Sequence, residues 1–154
     1  MTTLGIDIGG TSVKLGLVDA AGRILRRAQV PTRRELAADD LVRQLAGSVA
    51  ELLAGETAAG LGVAAPGCRR ADGEGVVNVT NLPHIDGYPL RTRLEEATSL
   101  RTALDNDANA AAMGEYRFGA GRGAERVLVV TVGTGIGAGM VVDGALHRVA
   151  WQGL

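Results

Sequence analysis

The sequence predicts an α/β fold, and three observations support this class. Strand-like runs joined by short Gly-containing turns open the chain and predict an antiparallel meander, over residues 4–8, 13–18 and 24–30. Over residues 35–54, apolar side chains recur at helical spacing, which predicts an amphipathic helix. A short apolar run at residues 61–65 stops at Pro66-Gly67 and indicates a strand buried on both faces.

Alternating strands and helices are also expected in the rest of the chain. Residues 72–89 are rich in Gly, Asn and Pro, which is typical of a binding loop. Pro89 suits the first position of a short helix that extends to residue 97. The further expected elements are a strand at residues 102–104, an Ala-rich helix to about residue 118, a linker at 119–123, and a second hairpin series at 127–132, 139–142 and 145–148.

Size and composition exclude several classes of protein. A chain of 154 residues with 46% hydrophobic residues can bury one core but is too short for two full domains. A net charge of −1 argues against a nucleic-acid partner. Cys68 is the only cysteine, so neither an internal disulfide nor a multi-cysteine zinc site can form. No signal peptide or membrane-length apolar run is present, and we expect a cytoplasmic protein with no membrane partner.

A glycine–threonine loop follows the first strand. The backbone N–H groups of such a loop can point at an anion, a threonine hydroxyl can add a donor, and a preceding aspartate can hold Mg²⁺ through water. The alternative is a tight hairpin whose aspartate caps its own turn, followed by a solvent-exposed strand lysine. The residues concerned are Asp7, Gly9, Gly10, Thr11 and Lys14.

A second glycine-rich loop lies at residues 133–139, which read Gly133, Thr134, Gly135, Ile136, Gly137, Ala138 and Gly139. Part of this run matches a dinucleotide-binding fingerprint, but that fingerprint opens a helix. Here the following residues are strand-like and lead to a turn at Asp143-Gly144. We therefore expect a hairpin that wraps phosphates with backbone N–H groups, or a hairpin without a ligand.

Four polar residues stand between the expected strand at 102–104 and the Ala-rich helix, namely Asp105, Asn106, Asp107 and Asn109. One of them is expected to cap the helix. A carboxylate at the mouth of a buried strand can instead accept the proton of a substrate hydroxyl. Capping and catalysis both remain open from the residues alone. In the irregular stretch, Asn81 is suited to a polyhydroxylated ligand, whereas His84 is interpreted as an exposed loop histidine.

Taken together, the motifs occur in a recognisable order: Asp7-x-Gly9-Gly10-Thr11-x-x-Lys14, Pro66-Gly67, Asn81-Leu82-Pro83, Pro89-Leu90, Asn106-Asp107-Ala108-Asn109 with Ala111, Gly114-Glu115, and Gly133-Thr134-Gly135-Ile136-Gly137. In this order they resemble the ROK family of bacterial sugar kinases and sugar-responsive repressors, which has the actin-like, ribonuclease-H-like ATPase fold. Residues 115–123 look particularly like bacterial glucokinases. The similarity covers about residues 3–148.

This resemblance implies an ATP-dependent kinase that phosphorylates the 6-hydroxyl of glucose, with Asp107 as the general base. It implies sugar binding by Gly67, Asn81, Asn106 and Asp107, and nucleotide binding by both glycine loops. The implied nucleotide-binding residues are Asp7, Gly9, Gly10, Thr11, Lys14, Gly133, Thr134, Gly135 and Gly137. Asp7 would hold Mg²⁺ through water, and ATP and Mg²⁺ are the implied cofactors. A sugar and a nucleotide are the implied partners, and a homodimer is compatible with the resemblance.

The resemblance also implies a division into two domains. Residues 1–121 would form an N-terminal actin-like ATPase domain with the sugar-binding loop, and residues 122–154 the opening strands and phosphate loop of a second domain. The sugar-binding glutamate and histidine and the zinc-binding cysteines that follow in family members do not appear in this sequence. The chain is therefore expected to be truncated and inactive alone. The alternatives are a sugar-sensing ROK regulator without its DNA-binding domain, or a non-catalytic sugar-binding fragment.

Overall fold

The computed structural model describes residues 1–133 and 135–148, and the chain divides into two compact units. Unit 1 comprises residues 1–106, and unit 2 begins at residue 107. The sequence predicted a domain boundary after residue 121. The observed division lies earlier because the helix that starts at residue 107 packs against the strands that follow it.

Unit 1 is built on a five-stranded mixed sheet. Its strands are β1 (Thr2–Ile8), β2 (Ser12–Asp19), β3 (Ile24–Pro31), β4 (Leu61–Ala65) and β7 (Thr102–Asn106), in the order β3-β2-β1-β4-β7. The first three strands form the expected antiparallel meander, and β4 and β7 pair in parallel with β1 and with each other. Because side chains alternate along a strand, Leu4, Ile6 and Ile8 of β1 enter the core while Asp7 faces the opposite side of the sheet.

Helix α1 (Ala38–Leu53) covers the core face of this sheet. Its apolar residues repeat at helical spacing, and Leu41, Leu45 and Val49 are buried. The helix ends where Ala54 adopts a left-handed conformation with φ of 50°, directly before Gly55 at φ of 86°. The predicted helix over residues 35–54 is thus confirmed except at its start, since residues 32–37 form a loop.

The irregular stretch contains short elements that the sequence did not predict. These are β5 (Cys68–Arg69), β6 (Val76–Val77) and a 3-10 turn at Pro83–Ile85, and α2 (Leu90–Thr98) follows. Ile85, Leu90 and Leu94 are fully buried and anchor this region to the core of unit 1.

Strand β4 corrects one expectation. It was expected to be buried on both faces, but Leu61, Val63 and Ala65 are buried while Gly62 is exposed and Ala64 is half-buried. Helices α1 and α2 contribute their apolar residues to the core on one face. Gly62 and Ala64 lie on the other face of β4. Because glycine and alanine are neither clearly apolar nor polar, the sequence does not show that this face is less buried.

Unit 2 consists of helix α3 (Asp107–Phe118) and an antiparallel sheet of β8 (Arg126–Val132), β9 (Ile136–Val142) and β10 (Ala145–Leu146). As predicted, β9 and β10 turn at Asp143-Gly144, where both residues have positive φ. Helix α3 packs on β9 and β8. Among the helices that the structure describes, none has the length and apolar character needed to cross a membrane.

Candidate functional site

The first glycine loop, residues 9–11, is held by side chains from the segment that follows β3. Thr32 donates a hydrogen bond from Oγ1 to the carbonyl oxygen of Gly9 at 2.6 Å, and its N–H donates to the carbonyl oxygen of Thr11 at 2.9 Å. Arg34 donates from Nε to the carbonyl oxygen of Gly10 at 2.8 Å. With three carbonyl oxygens occupied in this way, the loop has a fixed backbone. Fixed N–H groups are what binding of a phosphate by a loop requires.

Asp7 and Lys14 lie directly opposite each other on β1 and β2, on the exposed face of the sheet. Opposite charges at such positions favour each other. The same row continues through Ala64 of β4 to Asp105 of β7. A carboxylate oxygen is a suitable ligand for Mg²⁺, which keeps most of its waters and is held by one or two carboxylates together with substrate phosphates. Asp7 therefore fits the magnesium role that the resemblance implies.

Gly67 and Asn106 are brought together at the carboxyl ends of β4 and β7. The Nδ2 group of Asn106 donates to the carbonyl oxygen of Gly67 at 2.7 Å. Gly67 has φ of +90°, and a Cβ there would lie 2.6 Å from the carbonyl oxygen of Val77 and 2.7 Å from Cγ2 of Val79. Only glycine fits this position, for both conformational and steric reasons. Two of the sequence-predicted sugar residues are thus in contact.

Asn81 is exposed in the loop formed by residues 78–88, which is held by hydrogen bonds within the loop and to α1. Asp86 accepts a hydrogen bond from the N–H of Val79 at 3.1 Å, and the hydroxyl of Tyr88 donates to Asp39 at the start of α1. Burial and this bond to Asp39 raise the pKa of Tyr88 to about 12. The side chain of Asn81 reaches the first glycine loop, because a Cβ on Gly10 would lie 3.1 Å from its Nδ2 atom.

His84 lies in the same loop and differs from its sequence interpretation. It was expected to be an exposed histidine, but both ring nitrogens are buried and neither has a hydrogen-bond partner among the described residues. Burial lowers the pKa of His84 below its ordinary value of 6.5. The imidazole is therefore neutral at physiological pH.

Asp107 is the first residue of α3 in unit 2, and its side chain is exposed. Its Oδ1 accepts a hydrogen bond from the N–H of Ala108 at 2.8 Å. An acidic residue in the first helical turn also interacts favourably with the helix dipole. The structure thus shows a local helix-start role for Asp107, which is an exposed residue.

The second glycine loop joins β8 to β9, as the sequence predicted. Gly133 and Gly135 are exposed, and the N–H of Gly133 donates to the carbonyl oxygen of Gly135 at 2.9 Å. Thr134, which was also assigned to nucleotide binding, lies outside the described residues. Gly137 belongs to β9, and a Cβ there would lie 2.7 Å from Oγ1 of Thr131 and 3.1 Å from the Cβ of Ala108. Close packing against Thr131 of β8 and Ala108 of α3 therefore explains this glycine without a ligand.

Arg34 is the residue of this region that sequence reasoning missed. It is exposed, it contacts Gly10, and it makes no ion pair within the parts of the chain that the structure describes. Six other arginines of those parts pair with carboxylates, namely Arg23, Arg26, Arg43, Arg70, Arg91 and Arg93. No group of three or more metal-binding side chains occurs across residues 1–133 and 135–148.

Comparison with known proteins agrees with the motif order and the fold. A model of the ROK family matches residues 3–150. The chain belongs to the ROK family. It is 38% identical over 144 residues to a glucokinase from Thermotoga maritima, covering 93% of this chain and 45% of that protein. It is likewise 38% identical over 146 residues to an N-acetylmannosamine kinase from Escherichia coli, covering 95% of this chain and 49% of the relative.

Solved structures of ROK proteins have the same fold. A ROK glucokinase from Streptomyces griseus, in complex with glucose and AMPPNP, superposes with a TM-score of 0.88 at 37% identity, covering 97% of this chain and 47% of that one. A ROK transcriptional regulator matches with a TM-score of 0.80 at 22% identity, over 95% of this chain and 38% of that one, a likeness that extends to the fold alone. The chain spans about half the length of the curated relatives it matches.

Proposed function

We propose that this chain carries the sugar- and phosphate-binding residues of an ATP-dependent hexose kinase with an actin-like ATPase fold, and that glucose is its substrate. The observation that carries the proposal is the grouping within unit 1. Asn81 reaches the first glycine loop at Gly10, and Asn106 binds the carbonyl of Gly67. An amide beside a fixed glycine loop suits a ligand that combines hydroxyls with a phosphate, and the amide of Asn106 adds a second group for hydroxyls at Gly67. The mixed sheet and the two strand–glycine loop–strand units also support this fold.

In this proposal the side chains of Asn81 and Asn106 hydrogen-bond sugar hydroxyls. The backbone N–H groups of Gly10 and Thr11 bind phosphate oxygens, as does that of Gly135 in the second loop, whereas the N–H groups of Gly9 and Gly133 donate to the carbonyl oxygens of Ser12 and Gly135. Lys14 adds positive charge on the exposed face of the sheet, next to Asp7. A magnesium ion held through water by Asp7 would neutralise charge on the phosphates when it is bound.

Asp107 is the proposed general base. Its exposed carboxylate accepts the proton of the 6-hydroxyl as the sugar oxygen forms its bond to the terminal phosphorus of ATP. The bond from that phosphorus to the bridging oxygen breaks, and its electron pair leaves with ADP. Removal of a general base typically costs about 10²–10⁴-fold in rate.

A sugar-sensing regulator is the second candidate, and a non-catalytic sugar-binding fragment is the third. Both would use the sugar residues of unit 1 without Asp107. The regulator is favoured only by the likeness of fold, whereas a glucokinase relative is 38% identical to this chain over 144 residues. The net charge of −1 supports a protein without a nucleic-acid partner.

Calorimetric titration of the 154-residue chain with glucose and with N-acetylmannosamine tests the substrate class. We expect glucose to bind, and Asn106→Ala to weaken it because the amide that meets the ligand is removed. Tighter binding of N-acetylmannosamine would assign the chain to that substrate instead. Absence of binding by either sugar would contradict the proposal.

A coupled assay for glucose 6-phosphate tests phosphoryl transfer, both by the chain alone and after mixing with the C-terminal half of a ROK glucokinase. Asp107→Asn is the matched variant, because it keeps the size and the local hydrogen bond of the side chain but cannot accept the proton. We expect it to bind glucose and to lose turnover. Equal turnover by the variant would remove Asp107 from the mechanism.

A further inference from the structure

Arg34 lies where the phosphate-binding and sugar-binding groups of unit 1 meet. The hypothetical Cβ of Gly10 serves as a common reference point. It would lie 3.1 Å from Nδ2 of Asn81 and 3.2 Å from Nη2 of Arg34. One side chain from the sugar-binding loop and one guanidinium therefore converge over a single residue of the first glycine loop.

The guanidinium of Arg34 is held but not neutralised. Its Nε–H is used in the 2.8 Å bond to the carbonyl oxygen of Gly10, which fixes the plane of the group. Four N–H bonds remain on Nη1 and Nη2, because a guanidinium has five donors in a rigid fork. No carboxylate of the described residues pairs with it, and the same holds for its neighbour Arg33, which lacks the bond to Gly10.

We propose that Arg34 binds the phosphoryl group that is transferred, and that it makes the first glycine loop of unit 1 a site for the terminal phosphate of the donor. This inference rests on the proposed function. A planar, preoriented guanidinium matches the oxygens of a phosphate, and such charge-assisted bonds are about twice as strong as neutral ones.

During transfer, negative charge spreads over the three equatorial oxygens of the phosphoryl group. The bond from phosphorus to the bridging oxygen breaks, the bond to the sugar oxygen forms, and the sugar proton passes to Asp107. Arg34 keeps all of its protons and contributes hydrogen bonds to the equatorial oxygens. Because its Nε is fixed to the loop, the group is oriented before the reaction starts.

The ligand chemistry is an oligophosphate, which ATP and inorganic polyphosphate share. Calorimetric titration of the 154-residue chain with tripolyphosphate, and separately with magnesium AMPPNP, tests the site and distinguishes the two sources. We expect Arg34→Gln to weaken tripolyphosphate binding at least about tenfold, since hydrogen bonds to charged groups contribute strongly. Arg34→Lys should be intermediate, because it keeps the charge but not the fork.

Arg33→Gln is the matched control. Arg33 is the neighbouring residue, it is also exposed, and its removal changes the net charge equally. We expect it to change tripolyphosphate affinity by less than about twofold, as a solvent-screened charge would. Equal losses of tripolyphosphate affinity in the Arg33 and Arg34 variants would show that only the net charge matters, and would overturn the proposal.

If the role of Arg34 were limited to holding Gly10, a different pattern would be expected. In that case Arg34→Lys and Arg34→Gln would weaken tripolyphosphate binding equally, because both would release the loop. Glucose affinity would fall together with phosphate affinity, and added guanidinium would not restore tripolyphosphate binding to Arg34→Ala. We expect the opposite: unchanged glucose affinity in Arg34→Gln, and recovery of tripolyphosphate binding by Arg34→Ala in dilute guanidinium. Circular dichroism of each variant confirms that it is folded.

The outcomes also separate this inference from the proposed function. If tripolyphosphate binding depends on Arg34 but neither sugar binds, the phosphate site is supported and the proposed hexose kinase function is rejected. Glucose binding together with tripolyphosphate affinity that is insensitive to Arg34 would retain the sugar site and overturn this inference. A wild-type chain that binds neither tripolyphosphate nor AMPPNP would overturn it as well.

Discussion

Units 1 and 2 use the same local design, a strand, a glycine loop and an antiparallel strand, but they bury very different amounts of apolar surface. Unit 1 contains a core built from the meander, β4, β7, α1 and α2. In the described part of unit 2, the buried apolar residues are Ala108, Ala112 and Val141. Leu128 is 64% exposed, and Val132 and Ile136 are 80% and 81% exposed.

The two glycine loops also differ in the contacts that hold their backbones. The first is held by side-chain bonds from Thr32 and Arg34, whereas in the described part of the second the N–H of Gly133 donates to the carbonyl oxygen of Gly135. In the first loop, preorganisation therefore comes from the segment that follows β3 and not from the loop sequence alone. A glycine–threonine run by itself does not show how rigidly its N–H groups are held.

The largest expected difference between the units comes from one substitution made in each. Leu45→Ala removes a side chain that is 0% exposed in α1, and we expect a loss of about 2–5 kcal/mol in the free energy of unfolding. Leu128→Ala in β8 should change it by no more than about 0.5 kcal/mol, because that side chain is exposed. Urea unfolding measures both, and a larger loss at Leu128 would refute the contrast.

A glycine pair sharpens the comparison at the loops. Gly67→Ala in unit 1 places a Cβ against Val77 and Val79 at positive φ, and we expect a loss of about 1–3 kcal/mol. Gly133→Ala in unit 2 meets nothing within 4 Å and should be nearly neutral. Thermal unfolding followed by circular dichroism compares the two variants, and equal destabilisation would show that Gly133 is constrained.

The smallest expected effect is a pH dependence specific to unit 1. Burial lowers the pKa of His84 below its ordinary value of 6.5, so the unfolded chain takes up a proton on acidification that the folded chain does not. The contribution to stability is present above pH 6.5 and is lost as the pH falls below it. We expect His84→Phe to lose less stability than the wild type between about pH 7.5 and pH 5.5.

Urea midpoints at several pH values measure this effect. The matched control is His147→Phe, which removes an exposed imidazole from unit 2. A pH dependence of His84→Phe identical to that of the wild type would show that the buried ring does not contribute.

Elements defined by local signals could be predicted from the sequence. The meander, the turn at Asp143-Gly144 and the hairpin nature of the second glycine loop all follow from turn residues and alternation, and the structure confirms them. The start of α1 was placed too early, at residue 35 instead of Ala38. No side chain caps this helix at Ala37, so its beginning carries no capping signal.

Features that depend on contacts between distant residues could not be predicted. Arg34 looks like any loop arginine until its bond to Gly10 is known, and His84 looks exposed until the packing around its ring is known. The motif order indicated the candidate residues of unit 1. Their contacts, such as that between Asn106 and Gly67, required the structure, and their roles in binding remain proposals.

The close approach of β9 to α3 has a consequence for how substitutions in this protein should be interpreted. A Cβ on Gly139 would lie 2.3 Å from the carbonyl oxygen of Ala108, and one on Gly137 would lie 3.1 Å from the Cβ of that residue. Ala108 directly follows Asp107. A larger residue at position 139 must therefore displace the start of the helix that carries this carboxylate, and one at position 137 would press on both Thr131 and Ala108. A variant some 30 positions away in sequence can thus mimic a mutation of Asp107 itself, and genetic screens will group these positions although they share no chemistry.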